Sequence, residues 1–296
     1  MNRDLPSDTS PATLNLGLVQ HSCSDDYQEN IDKTLQGIAS AAAQGADLVL
    51  LQELHGGIYP CYEEHPAHFD RAEPIPGPTT DRLSKAAAEF NVVIVGSLFE
   101  RRAVGLYHNS AVVLERDGSI AGRYRKMHIP DDPGYYEKFY FTPGDEGFVP
   151  IQTSLGCLGV LVCWDQWFPE AARLMALGGA EILLYPTAIG FAADESTAEQ
   201  RRQLEAWQTI QRSHAIANAL PLAACNRIGT EADTAFWGNS FICGPQGEIL
   251  AQAGTNEQVL IATIDRRRSE DVRRMWPFLR DRRIDAYAGL TRRYLD

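Results

Sequence analysis

Cys157-Leu-Gly-Val-Leu-Val-Cys163-Trp-Asp-Gln-Trp-Phe-Pro169-Glu170 joins a short apolar run to a helix start. Leu158 to Val162 carries the β-branched residues that a buried strand uses. Pro169 suits a first helical turn, Glu170 suits the positive end of the helix dipole, and Ala-Ala-Arg-Leu-Met-Ala-Leu follows at helical spacing. Cys163 therefore falls on the turn between a strand and a helix, where a nucleophile can be held out of a sheet. A helix N-terminus there is expected to draw the thiol below its usual value of about 8.5. The same position also suits an inert core thiol, since cysteine is often fully buried.

Working outward, buried strands alternate with helices. Leu14 to Gln20 reads as a strand, Tyr27 to Gln44 as a helix with Ile31, Leu35, Ile38 and Ala42 on one face, and Asp47 to Gln52 as a buried strand stopping at Glu53. The Gly- and Pro-rich stretch from His55 to Pro78 predicts a long loop over one end of the sheet. A helix over Asp81 to Phe90 and a strand over Val92 to Leu98 follow.

Asp117-Gly118, flanked by Asn109 to Glu115 and Ser119 to Arg125, predicts a hairpin. A second hairpin turns at Pro245 to Gly247, between Ser240 to Cys243 and Glu248 to Gln252. Between them the pattern gives a strand over Glu181 to Tyr185, a helix over Ala198 to Ala219 and a strand over Leu222 to Asn226; Val259 to Ile264 is the last strand. The two hairpins and two strand–helix arrays suggest two similar halves. Helices covering mixed sheets follow from this alternation, whether as one sheet or two.

A chain of 296 residues, 44% of them hydrophobic, can bury one sizeable core. Its net charge of −12 argues against a nucleic-acid surface and is compatible with a cationic substrate. No run approaches a membrane span, and residues 1–13 read as a loose polar arm. The six cysteines form no CxxC pair, which suits a reducing cytoplasm. The seven histidines form no HxxxH or HExxH pattern, so neither a metal nor another cofactor is called for.

Glu53, Lys126 and Cys163 each follow a predicted strand, and strand ends gather at one rim of such a sheet. A thiol, a carboxylate and an ammonium brought together there make an acyl-transfer site. The carboxylate moves protons, and the ammonium stabilises the developing oxyanion. Taken singly, each also suits an ordinary strand-end charge or a core thiol.

Three blocks then carry a resemblance: Leu-Leu-Gln-Glu53-Leu, Tyr-Arg-Lys126-Met-His-Ile-Pro and Val-Leu-Val-Cys163-Trp-Asp-Gln-Trp-Phe-Pro-Glu. In order and spacing they resemble the signature blocks of the nitrilase superfamily of carbon–nitrogen hydrolases, over about Leu14 to Trp276. The third block and Asp131-Asp-Pro-Gly-Tyr-Tyr-Glu-Lys-Phe-Tyr-Phe141 are similar to the branch that hydrolyses N-carbamoylputrescine. The resemblance implies an α/β fold of four layers, an α-β-β-α sandwich, spanning 14–276. It also implies a tail over 277–296 that makes subunit contacts in a homo-oligomer, a dimer or an assembly of dimers.

It further implies a Glu53–Lys126–Cys163 triad with Glu137 as a supporting carboxylate and the Trp164 backbone N–H as an oxyanion donor. The expected substrate is a small cationic ureido compound, split through a carbamoyl thioester. Tyr135, Tyr136 and Trp167 would wall the pocket, and Asp194 or Glu195 would meet the distal ammonium. His128 either lines that pocket or holds its own loop. The alternatives are a relative acting on an N-carbamoyl amino acid, on β-ureidopropionate or on another linear amide, and a catalytically silent scaffold.

Overall fold

The computed structural model describes residues 12–295. Of the N-terminal arm expected over 1–13, residues 1–11 lie outside the described residues, while Thr13 already belongs to the first strand. That strand, β1 (Thr13–Gln20), leads into α1 (Tyr27–Ala43), β2 (Leu48–Leu51), α2 (Pro78–Phe90), β3 (Val93–Ala103), β4 (Leu106–Leu114) and β5 (Ile120–Arg125). α3 (Glu137–Tyr140) is a single turn. β6 (Ile151–Thr153), β7 (Gly156–Val160), α4 (Pro169–Leu177), β8 (Ile182–Pro186), β9 (Gly190–Ala192), α5 (Thr197–Asn218) and β10 (Leu222–Cys225) follow. β11 (Ile228–Glu231), β12 (Thr234–Trp237), β13 (Phe241–Cys243), β14 (Ile249–Gln252), β15 (Gln258–Asp265) and α6 (Arg267–Met275) complete the elements used below.

The strands form two six-stranded sheets, ordered β15-β1-β2-β3-β4-β5 and β14-β13-β10-β8-β7-β6. In the first, β1, β2 and β3 are parallel, while β4, β5 and β15 run antiparallel to their neighbours. In the second, β7, β8 and β10 are parallel, and β13, β14 and β6 are antiparallel. The two halves thus repeat one β-α-β-α-β-β plan, with α1 and α2 matched by α4 and α5. This is the duplication that the paired hairpins suggested.

Period-two alternation explains the layering. Leu16, Leu18, Leu48, Leu50, Val93 and Val95 point between the sheets and pack with Val160, Leu184 and Ala223. The intervening Val19, Val49, Leu51 and Ile94 pack beneath Ile38 and Ala41 of α1 and Leu83 and Ala87 of α2. Burying each of these larger side chains stabilises the fold by about 1.5–3 kcal/mol, so neither register nor sheet order can slip. The result is a four-layer α-β-β-α sandwich.

Three details differ from the sequence reading. β3 runs five residues past Leu98 to Ala103 and turns back at Gly105, whose φ is 74°, making a hairpin that the polar residues Glu100, Arg101 and Arg102 had masked. β9, β11 and β12 pair as a separate three-stranded sheet. Cys163–Trp167 forms a 3-10 turn of its own between β7 and α4, while α4 starts at Pro169 as the sequence reading has it.

Candidate active site

Glu53, Lys126, Glu137 and Cys163 arrive from four segments. Glu53 lies in the turn that follows β2, and its N–H donates to the Thr187 carbonyl beyond β8 at 3.3 Å. Lys126 directly follows β5; its N–H donates to Asn109 O at 2.9 Å, and its carbonyl accepts from Gly144 N at 2.8 Å. Gly144 crosses so close that a Cβ there would sit 2.2 Å from Arg125 O, so any side chain would push this segment off Lys126. Glu137 opens α3 and is buried.

Lys126 Nζ, itself buried, lies 2.9 Å from Glu53 Oε1 and 2.8 Å from each oxygen of Glu137. Asn109 Nδ2 donates to the same Glu53 Oε1 at 2.6 Å, and Tyr59 OH donates to Glu137 Oε1 at 2.6 Å. Glu53 Oε2 has no hydrogen-bond partner among the described residues. One carboxylate oxygen is therefore pinned and the other stays available as a base. Burial opposes the charge on Lys126, but Glu137 and Glu53 outweigh it and hold the ammonium well above its usual value. Glu137 is raised, first by burial and then by the neighbouring Glu53 charge, with Lys126 opposing both.

Cys163 takes a φ of 42°, a left-handed value uncommon for a residue other than glycine. Its thiol donates weakly to Ala188 O at 3.7 Å. The expected lowering of its pKa is not found. Burial first, then the charge of Glu53, push the thiol well above its usual range, and Lys126 offsets only part of this. The physical reason is position, because Cys163 begins a 3-10 turn rather than the α4 helix and is buried beside two carboxylates. Both effects favour the neutral thiol, which gives a neighbouring base the task of taking its proton as it attacks.

The turn is fixed from behind by Asp165. Its Oδ2 accepts from Val162 N at 3.0 Å and Tyr124 OH at 2.8 Å, while its Oδ1 accepts from His128 N at 3.0 Å. His128 Nδ1 lies 2.7 Å from the same Oδ1, and the His128 ring stacks on Phe168 at 3.7 Å. Of the two roles open to His128, this geometry fits the holding of its loop. Trp164 and Trp167 are half-buried and meet edge to face with centroids 6.5 Å apart.

Tyr135 packs on Tyr59 at 5.6 Å, and its hydroxyl accepts from Gly190 N at 3.1 Å. Burial first, and then the nearby charges of Cys163, Glu53 and Glu195, raise its pKa, with the Gly190 N–H opposing them. Tyr136 is half-buried, with its N–H bonded to Cys61 O at 2.9 Å. Asp194 is exposed. Glu195 is tied into its loop, accepting from Ala192 N at 3.1 Å and Gln203 Nε2 at 2.5 Å. Neither residue caps α5; Ser196 does, through Glu199 N. A surface groove of about 540 Å³ between Tyr27, Gly56, Glu73 and Phe99 lies beyond Leu54 and includes none of the four site residues.

The family model for carbon-nitrogen hydrolases matches residues 15–274. The chain belongs to the carbon-nitrogen hydrolase family. As a carbon-nitrogen hydrolase it is an enzyme of the nitrilase superfamily. It is 44% identical over 287 residues to an N-carbamoylputrescine amidase of Solanum lycopersicum, covering 94% of each chain. It is 42% identical over 289 residues to a citrullinase of Francisella tularensis, covering 96% of this chain and all of that one. A crystal structure of a carbon-nitrogen hydrolase from Helicobacter pylori G27 superimposes with a TM-score of 0.94 at 55% identity, covering 96% of this chain and all of that one.

Sequence reasoning passed over Asn109 and Tyr59, which bond the two carboxylates, and Arg227, whose Nη2 donates to the Glu53 carbonyl at 2.8 Å. Arg227 had a usable signal, because Asn226-Arg227 directly follows the buried β10 at a strand end, like Glu53 after β2. Asn109 and Tyr59 carry no local pattern.

Proposed function

We propose that this carbon-nitrogen hydrolase converts N-carbamoylputrescine to putrescine, carbon dioxide and ammonia through a carbamoyl thioester on Cys163. The observation that carries the proposal is a buried ammonium held between two carboxylates, one of which keeps a free oxygen. Glu53 Oε2 takes the Cys163 proton as Sγ attacks the ureido carbonyl. Lys126 and the Trp164 N–H receive the oxyanion. The intermediate collapses when Glu53 returns the proton to the departing ammonia, leaving a carbamoyl thioester. Glu53 then takes a proton from water, whose oxygen adds to the thioester, and returns that proton to Sγ as Cys163 is expelled. The carbamate product loses carbon dioxide to give putrescine. Glu137 keeps Lys126 in place throughout. No step asks for a metal or a cofactor.

The distal ammonium is the part of the substrate that selects this reading. Tyr135, Tyr136 and Trp167 offer aromatic walls, and Glu195 offers a carboxylate whose two present partners leave lone pairs for a third. Asp194 is the alternative anion. Arginine, which could clamp a substrate carboxylate, is absent from 164–172, and Arg173 lies on α4 with its Nη2 on Ala217 O at 2.9 Å. N-carbamoylputrescine should therefore exceed carbamoyl-β-alanine by at least about a hundredfold in kcat/KM, about 2.7 kcal/mol. Glu195→Gln should erode that ratio more than Asp194→Asn. Citrulline carries the same ureido group on a chain ending in an amino acid, so it belongs in the same assay. Equal use of all three substrates would defeat the cationic-pocket reading and leave the thioester chemistry standing.

We further propose a cytoplasmic homo-oligomer acting in putrescine formation, with no nucleic-acid partner. No described helix is long and apolar enough to cross a membrane. Met275, Ile284, Leu290 and Tyr294 are each 64–80% exposed along α6 and the tail, more apolar surface than an isolated chain is expected to show. Sedimentation of the full chain should report a dimer or an assembly of dimers, shifted toward monomer by Ile284→Glu with Leu290→Glu. A monomer at micromolar concentration would sink this part.

A further inference from the structure

We propose that Arg227 is a positioning residue for both carboxylates that flank Lys126, an inference that rests on the reaction proposed above. Arg227 is completely buried. Its Nη2 donates to the carbonyl of Glu53 at 2.8 Å and to that of Leu54 at 2.9 Å. Its Nη1 donates to the Gly57 carbonyl at 3.2 Å and to both oxygens of Glu231, at 2.7 and 3.0 Å. The guanidinium lies over the Phe236 ring at 5.3 Å.

Three carbonyls of one irregular turn thus converge on a single side chain from the other half of the molecule. The turn needs such a hold. Leu54 has a φ of 49°, a left-handed value that is strained for a residue with a side chain. The turn's N–H groups make only long bonds, Glu53 N to Thr187 O at 3.3 Å, Leu54 N to Ser97 Oγ at 3.2 Å and Gly57 N to Leu54 O at 3.4 Å. Released, it would relax toward ordinary backbone angles and swing the Glu53 carboxylate.

The second arm runs through Glu231. Its Oε2 accepts from Tyr59 N at 2.6 Å, and Tyr59 OH reaches Glu137 Oε1. Glu53 is therefore held through its own backbone, and Glu137 through one tyrosine, both from the same ion pair. A guanidinium suits this task because its planar fork reaches two successive carbonyls and a carboxylate together; an ammonium would have to choose among them.

The test compares wild type, Arg227→Lys, and the charge-free pair Arg227→Met with Glu231→Gln, whose amide oxygen still accepts Tyr59 N. Removing both charges together avoids leaving one buried and unpaired, so the double variant should fold. Two readouts are taken: kcat and KM on N-carbamoylputrescine, and the rate of Cys163 alkylation by iodoacetamide, followed by peptide mass. Alkylation needs only that the thiol lose its proton, so it remains informative even if the substrate reading is wrong.

The double variant is expected to lose at least about thirtyfold in kcat with KM within about threefold, and to alkylate at least about tenfold more slowly. Arg227→Lys should fall between it and wild type, and serves as the test by itself if the double variant does not fold. Folded variants with kcat and alkylation within about threefold of wild type would overturn the proposal. So would a rise in KM that accounts for the whole loss.

Discussion

A Cys163→Ser protein is expected to fold normally and to lose hydrolysis by on the order of 10⁴-fold. The folding half follows from how little the thiol holds together. Sγ makes one weak bond, to Ala188 O at 3.7 Å, and a serine hydroxyl can keep that acceptor. The left-handed φ of 42° is imposed by the turn and by Asp165 behind it, so it survives the substitution. The thermal midpoint should stay within about 4 °C of wild type, corresponding to about 1 kcal/mol or less. The catalytic half follows from the resting state of the site. Burial and Glu53 already make the thiol reluctant to ionise. Glu53 can still take a proton from sulfur, whereas an alcohol in the same dry pocket gives up its proton far less readily and leaves a weaker nucleophile. Wild type quenched in acid during turnover should carry an N-(4-aminobutyl)carbamoyl group on the Cys163 peptide, and the variant none. Activity within tenfold of wild type at an unchanged midpoint would remove Cys163 from the chemistry.

Most of the frame was readable in the sequence because its signals are local. Asp47-Leu-Val-Leu-Leu alternates core and helix-facing side chains that have nowhere else to go, and Asp117-Gly118 supplies a turn whose glycine takes φ 83°. The three residues at strand ends were found because a sheet rim converts sequence position into spatial proximity. What stayed hidden depends on contacts far apart in sequence. β9, β11 and β12 are three or four residues each, too short for a periodic pattern, and they pair only because distant segments meet. The state of the Cys163 thiol could not be inferred from a Pro-Glu helix start, because burial beside Glu53 and Glu137 outweighs a dipole whose helix begins only at Pro169. Arg227 could be flagged as a cation at a strand end, but its grip on the Glu53 turn, 174 residues away, is a tertiary contact that no local pattern encodes.

A Glu53→Gln protein should lose on the order of 10³-fold or more in turnover, and lose it in both half-reactions. The substitution is a clean one here. The amide oxygen can occupy the place of Oε1 and keep both donors, Asn109 Nδ2 and Lys126 Nζ. Lys126 also keeps both Glu137 oxygens, so its buried charge is not stranded. What disappears is the acceptor at Oε2, replaced by an NH₂ that cannot take a proton from the thiol or from water. Without that acceptor the thiol stays protonated, and neither the first ammonia nor the thioester should form at an appreciable rate. Glu137→Gln makes the instructive contrast. It weakens the grip on Lys126 while leaving Glu53 Oε2 in place, so kcat should fall by about 10–100-fold with KM nearly unchanged. Rapid-quench measurement of ammonia separates the cases. If Glu53→Gln released its first ammonia at the wild-type rate and then stalled as a thioester, another group would be protonating the leaving amine, and Glu53 would be reduced to a base for water alone.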